Sequence, residues 1–321
     1  AGRCDKNMAI RISTGAAVPD GADGVAIQED VERDDRKVKV PKIRAGQNVR
    51  PRGGDFSAGS LLLTRGRLLD GVGVSLAAAA GQATLLVKQK PRVTILSSGD
   101  ELAVPGSEPG PWQIFDSATY AIAAQARKWG ASVQRLAVVR DDATAIATSA
   151  EKGLRDSDLL VVIGGASVGE HDHARPALMR LGLEISVEKV AVRPGKPTWF
   201  GMTPLGAVLG LPGNPASALV CAEIFLKPML AAMQGRDAGP GVHRAALMAP
   251  LPANGPREHY LRGLLTADGD GRLTVRAFED QDSSLISVFA SANALICLPA
   301  NAPAMPAGTL VNVLPLDGLG C

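Results

Sequence analysis

The stretch DLLVVIGGASVGEHDHAR, residues 158–175, decides how the rest of the chain is read. Its five apolar residues, 159–163, are too few for an ordinary helix and are closed by Gly164 and Gly165. That pattern predicts a strand buried on both faces of a parallel sheet. The strand stops abruptly at glycines, which let a backbone approach a ligand closely, and Ser167 and the turn amides face whatever lies beyond its carboxyl end. Open α/β sheets hold their ligands there. Asp172 then precedes a short predicted helix, residues 174–181, with Pro176 in its first turn and Gly182 past its end, so capping is one reading of Asp172. The same pattern recurs at VTILSSGDEL, residues 93–102, leaving Asp100 and Glu101 at a second strand end. Two carboxylates at neighbouring strand ends, beside glycine turns able to take an anion, suit a magnesium-bridged phosphate.

The 321 residues are 46% hydrophobic and 21% charged, with a formal net charge of +2. Such a balance predicts a soluble chain with an ample core and leaves no bulk field to attract nucleic acid or membrane, so any anion site must use local charge. Cys4, Cys221, Cys297 and Cys321 have neither metal-type nor disulfide-framework spacing, which points to a reducing cytoplasm. The longest apolar stretch, near residue 220, carries Glu223, Lys227 and Pro228 and is not read as a membrane span.

Outward from the central stretch, residues 1–58 read as short alternating strands, MAIRIS, GVAIQEDVE, KVKVPK and QNVRPR, forming a partial small β domain. Thr14 stands in a loop between two of them, and Arg44, Arg50 and Arg52 form a basic run before Gly53, Gly54 and Asp55. Residues 57–81 take helical spacing and residues 59–90 are expected to form a helical connector. Residues 91–236 alternate strand and helix: strands at 93–96, 133–139, 159–163 and 184–190, and helices capped by Asp116 and Asp142. This order predicts a doubly wound parallel α/β domain with right-handed crossovers. RPGKP, residues 193–197, a hairpin from TWFG and AVLGLP, and PGNPAS follow, with Asn214 as N-cap and Pro215 at the first position of a helix to Gln234 that kinks before Pro228. Residues 237–321 read as a small β domain, a barrel by the number of its short strands.

Taken in order, STGAAVPDGAD, SSGDEL, VVRDD, GGASVGEHD, RPGKP and LPGNPAS make the chain resemble the molybdopterin molybdenumtransferase family, which includes the E domain of gephyrin. The resemblance covers nearly the whole length. It implies an enzyme that takes adenylylated molybdopterin and molybdate with magnesium, releases AMP and leaves molybdenum on the pterin dithiolate. It also implies a homodimer whose active site lies between the α/β domain of one subunit and the small β domain of the other. Carried over position by position, Glu101 and Asp172 match the magnesium and nucleotide-phosphate site, and Asp141 matches an active-site aspartate. Ser98, Gly99, Gly164, Gly165, Ser167 and Gly169 would cradle phosphate. Lys189, Arg193 and Lys196 would face the pterin phosphate and molybdate, with Pro212, Asn214 and Pro215 shaping the same wall. Thr14 and Asp55 match residues contributed by a partner subunit.

The chain departs from that pattern in places. The family begins with a helical segment and a Met-Asp-Gly-Tyr stretch, whose aspartate belongs to its active site, that this sequence does not contain, which predicts either a chain joining the fold after them or loss of that aspartate's function. Gly54 stands where a glutamate is expected, His173 where a tyrosine is, and Arg193 where a lysine is common. Arginine still binds oxyanions, in bidentate fashion where geometry allows. Two other readings stay open: a molybdopterin adenylyltransferase with a similar glycine and serine turn, and a non-catalytic dimeric scaffold that keeps the fold.

Overall fold

The structure, a computed structural model, describes residues 2–164, 173–237, 239 and 241–316. They cluster into two compact units, Ala1–Thr64 with Gly71–Gly81, and Arg65–Asp70 with Gln82–Cys321.

The first unit carries far less regular structure than its alternating sequence predicts. Among the described residues its ladder is one hairpin, β1 (Glu32–Asp34) with β2 (Lys37–Lys39), all six residues exposed. The other expected strands are extended segments joined by single bonds, such as Val25 N to Gln47 O at 3.0 Å and Asn48 Nδ2 to Val25 O at 2.9 Å. Alternation alone does not make a strand where no second backbone lies alongside to complete a ladder. The helix expected over residues 57–81 shrinks to α1 (Gly71–Ala79). Gly59 and Gly66, both at φ +85°, turn the chain before it. Val72 and Val74 on α1 are exposed.

In the second unit, a six-stranded sheet grows around the central run. The chain passes through β3 (Arg92–Ser97), the short pair β4 (Leu102–Ala103) and β5 (Ile114–Phe115), α2 (Ala118–Lys128), β6 (Ser132–Arg135), α3 (Ala143–Arg155) and β7 (Leu159–Ile163). It continues through α4 (Ala174–Met179), β8 (Glu184–Val187), β9 (Val192–Arg193), β10 (Trp199–Thr203), β11 (Gly206–Leu211) and α5 (Pro215–Cys221). A π turn, Ala222–Leu226, and α6 (Lys227–Met233) complete the apolar helix just where Pro228 removes a backbone donor. The sheet order is β6-β3-β7-β11-β10-β8. The expected parallel arrangement holds for β6, β3, β7 and β11, whereas β10 pairs antiparallel with both β11 and β8, so the sheet is mixed.

All five residues of β7 are buried, and they divide by parity. Leu159, Val161 and Ile163 enter the core under α2 and α5, while Leu160 and Val162 enter the core under α3 and α4. A strand covered on both faces needs no polar alternation, because each buried side chain gains about 1.5–3 kcal/mol over exposure. Asp142 is the N-cap of α3 as expected, while Asp116 stands one residue before the N-cap of α2, Ser117, and still bonds its first turn. Asp142 Oδ1 accepts from Ala145 N at 2.7 Å, and Asp116 Oδ1 accepts from Thr119 N at 3.2 Å.

The last part of the chain closes on itself. Strands β12 (His243–Leu247), β13 (Glu258–Ala267), β14 (Leu273–Ala277), β15 (Ala294–Leu298) and β16 (Leu310–Pro315) run in the order β14-β12-β16-β15-β13, and β13 also pairs with β14. This five-stranded barrel encloses its own core, while Phe289 of the short helix α7 (Ile286–Ser291), Leu295 and Leu314 join the core of the sheet beneath α5. Residues 215–233 are long and apolar enough to cross a membrane, but 61% of that stretch is buried inside the protein. Glu223, 3% exposed, pairs there with Lys227 at 2.8 Å, as suits a core helix.

Candidate active site

The carboxyl ends of β3, β7 and β11 meet at one rim. Gly164 follows β7 at φ +87°, and a side chain there would lie 3.1 Å from Ser98 O. On its other side, Gly164 N donates to Leu211 O, the last residue of β11, and Gly213 packs against the Gly164 Cα. Glycine fits because two backbones approach one that turns left-handed. The β6 side is joined as well: Gly99 N donates to Val139 O and Val139 N to Ser97 O, which brings the segment leading to Asp141 beside the end of β3. Ser98, Gly99, Asp141, Gly164, Pro212 and Asn214 therefore share the rim.

Glu101 is held in the same place by backbone. Its carbonyl accepts from Ile114 N at 2.7 Å, and the Ala103 carbonyl accepts from Asp116 N at 2.9 Å, so the β4 and β5 pair clamps the turn. The exposed carboxylate folds back over Gly99, where a Cβ would meet it at 2.6 Å. At the end of β3, Ser97 Oγ and Ser98 Oγ are both buried and have no hydrogen-bond partner among the described residues. Buried polar atoms in native folds are normally satisfied, so an unpartnered hydroxyl at this strand end is a candidate contact for a polar ligand. Glu101 offers carboxylate oxygens, the donor type that suits magnesium rather than a softer metal. Asp172, the other expected metal ligand, lies outside the described residues, as do Gly165, Ser167 and Gly169.

The antiparallel course of β10 brings the basic loop to this rim. Trp199, at the start of β10, stands opposite Gly210, one residue before the end of β11, so residues 193–197 emerge at the same end of the sheet. Val190 N donates to Lys196 O at 3.1 Å, closing a loop flanked by the exposed Lys189 and Lys196 with exposed Arg193 between them. Gly195, at φ +117°, packs against Cys221, and a Cβ there would come within 2.2 Å of its sulfur. The loop thus abuts the last residue of α5, the helix that Asn214 and Pro215 begin, about 10 Å along its axis.

Asn214 occupies the N-cap position, yet its side chain does not cap the helix. Its Nδ2 donates to Ser283 Oγ at 2.8 Å, and the Ser283 carbonyl accepts from Ala216 N and Ser217 N. Residues 190–196 are tied to the barrel too, since β9 adds to β13 with Arg193 opposite His259. Burial, helped by Arg193, Arg257 and Arg262, pushes His259 down to about 4, and burial pushes the Cys221 and Cys297 thiols up to about 12. His259 is thus neutral at pH 7 among cationic neighbours. Sequence reading gave no role to Ser97, although it opens the SSGDEL motif, nor to Ser283, which sits in a run with no periodic or motif signal.

Thr14 and Asp55 belong to the first unit. Thr14 and Gly15 form a turn closed by Ala16 N to Ser13 O at 3.0 Å. Asp55 is exposed and follows a turn in which Gly54 N donates to Pro51 O. A Cβ on Gly54 would lie 3.1 Å from that oxygen, so the turn is shaped to the glycine that replaces the expected glutamate.

Comparison with known proteins agrees along the chain. Family models match in sequence order: the MoeA N-terminal region (domain I and II) at residues 2–81, a probable molybdopterin binding domain at 94–232, and the MoeA C-terminal region (domain IV) at 244–316. A molybdopterin molybdenumtransferase of Nostoc sp. is 34% identical over 316 residues, which cover 96% of this chain and 72% of that protein. The chain belongs to the molybdopterin molybdenumtransferase family. Molybdopterin molybdenumtransferase 2 of Mycobacterium tuberculosis is likewise 34% identical over 315 residues, 95% of this chain and 76% of that protein. The crystal structure of the molybdopterin biosynthesis MoeA protein from Pyrococcus horikosii superimposes with a TM-score of 0.81 at 30% identity, covering 99% of this chain and 78% of that one. The α/β domain, the closed barrel and their order are those of this family.

Proposed function

We propose that this member of the family is the molybdenum-inserting enzyme of molybdenum cofactor biosynthesis, acting on adenylylated molybdopterin and molybdate with release of AMP. Family membership carries the biosynthetic role. The specific reading rests on one observation: oxygen donors, glycine turns and a basic loop all stand at a single sheet rim.

The central difficulty for such an enzyme is to gather several anions. Two unit charges about 4 Å apart repel by roughly 4 kcal/mol at an effective dielectric near 20. Lys189, Arg193 and Lys196 would offset that repulsion by holding the pterin phosphate and molybdate, Arg193 in bidentate fashion. Gly164 and Gly99 let backbone approach the phosphates, and a hydroxyl at the end of β3 would gain a partner that the described residues do not supply. Asn214 and its proline neighbours form the opposite wall and orient the pterin. Magnesium, held by Glu101 and Asp172, would supply Lewis-acid polarisation of the link between AMP and the pterin phosphate. Asp141 would orient substrate hydroxyls, a role supported by the nearness of its segment to the end of β3. Thr14 and Asp55 would complete the site from the second subunit of a homodimer.

The adenylyltransferase reading is set aside by the N-terminal region and the barrel that flank the α/β domain. Incubation with molybdopterin and ATP, without molybdate, should yield no adenylylated product, whereas adenylylated molybdopterin with molybdate should yield AMP and metallated cofactor. Adenylylation in the first mixture would reverse the assignment, and silence in both would favour a scaffold.

A further inference from the structure

The barrel reaches the start of α5 through residues 278–285, and one buried arginine fixes that loop. Arg262 of β13 is 3% exposed. Its backbone N and its Nε donate to Gln281 Oε1 at 3.0 and 3.2 Å, and its Nη1 donates to the Leu285 carbonyl at 3.1 Å. Gln281 Nε2 answers by donating to the carbonyls of Arg262 at 3.0 Å and Phe278 at 2.8 Å. Between the anchors at 281 and 285 stands Ser283. Its carbonyl accepts from Ala216 N at 3.1 Å and Ser217 N at 3.4 Å, and its hydroxyl accepts from Asn214 Nδ2 at 2.8 Å.

A buried guanidinium is a poor choice for a simple brace, because well-packed apolar residues are often as stabilising or more so. What a planar fork supplies is direction. Here the fork bonds two points of one loop, and the loop replaces a side-chain cap at the helix whose first residues line the site. Asn214, freed from capping, is turned toward Ser283.

We propose that Arg262 is a positioning residue of the active site, acting through Gln281 and Ser283 to set Asn214 and the first turn of α5. The proposal rests on the reading of Asn214 as part of the binding wall. It makes the barrel part of the catalytic apparatus of its own chain.

The test is steady-state kinetics of AMP release on the full chain, with thermal unfolding measured beside it. Gln281→Ala, which leaves the bond from Arg262 to Leu285 in place, is the first variant, and Arg262→Lys the second. Either should raise KM for adenylylated molybdopterin about tenfold, the scale of losing roughly one hydrogen bond's contribution to binding. The double variant Gln281→Ala with Asn214→Ala should be no worse than Asn214→Ala alone, because the two act along one path. Multiplying effects would overturn the proposal, as would a lowered Tm with unchanged KM. If Asn214→Ala alone leaves KM unchanged, the wall reading fails and the proposal falls with it. A loss in Asn214→Ala with none in Gln281→Ala or Arg262→Lys would sink the proposal alone.

Discussion

The central sheet and the first unit are written in similar residues, yet they fold by different means. In β7 every side chain is buried and each backbone group meets a neighbouring strand on both sides. In the first unit β1 and β2 are exposed at every position, and isolated bonds join the remaining segments. Burial on two faces makes a strand both legible and rigid, whereas exposed alternation specifies neither. The carboxylate and glycine turns of the rim hang on the rigid part; Thr14 and Asp55 stand in turns.

Substitutions in the two regions can sharpen or break this contrast. Gly210 lies opposite Trp199, and a Cβ there would stand 2.0 Å from the fully buried indole. Gly210→Ala should lower unfolding free energy by about 3 kcal/mol in a denaturant titration, the upper range for overpacking a core. A variant of ordinary stability would show the sheet more plastic than described.

Where the sheet domain meets the barrel, the effect should depend on pH. The unfolded chain takes up the His259 proton near 6.5 and the folded chain only near 4, so stability falls as pH drops through that window. His259→Gln should flatten this acid limb by about 1–2 kcal/mol, allowing for partial exposure of the ring. An unchanged slope in unfolding measured from pH 7 to 4 would contradict the burial.

Smaller again is a helix cap. Asp142→Ala removes the bond to Ala145 N and should cost about 1 kcal/mol by thermal unfolding. The contrast predicts least in the first unit. Val38→Thr on exposed β2 should change stability by less than about 0.5 kcal/mol, and a larger loss would mean that this hairpin carries packing after all.

Much of the fold was legible because its signals are local or periodic. The run 159–163 between polar and glycine boundaries, Asp142 before its helix, and the hairpin around Pro204 and Leu205 could each be read from neighbours in sequence. The pairing of β9 with β13 joins residues 66 positions apart, and no local pattern announces it. Asn214 shows the limit most clearly. Its place before Pro215 reads as a cap, and the position is right, but the capping carbonyl comes from Ser283 on a distant loop. Most strands expected in residues 1–58 fail for the opposite reason: the local pattern is present, and among the described residues only KVKVPK, as β2, has a partner strand in a hairpin. The family resemblance supplied what spacing could not, the expectation that Glu101, Asp141, the basic loop and PGNP act together.

The account stands or falls on the oxygen donors at the end of β3. AMP release from adenylylated molybdopterin, followed against magnesium concentration in the presence of molybdate, tests them directly. Glu101→Ala should abolish the magnesium-dependent release while leaving the unfolding temperature close to that of the parent chain, since this side chain is exposed and buries nothing. Release that keeps its rate and its magnesium dependence in that variant would contradict the assignment.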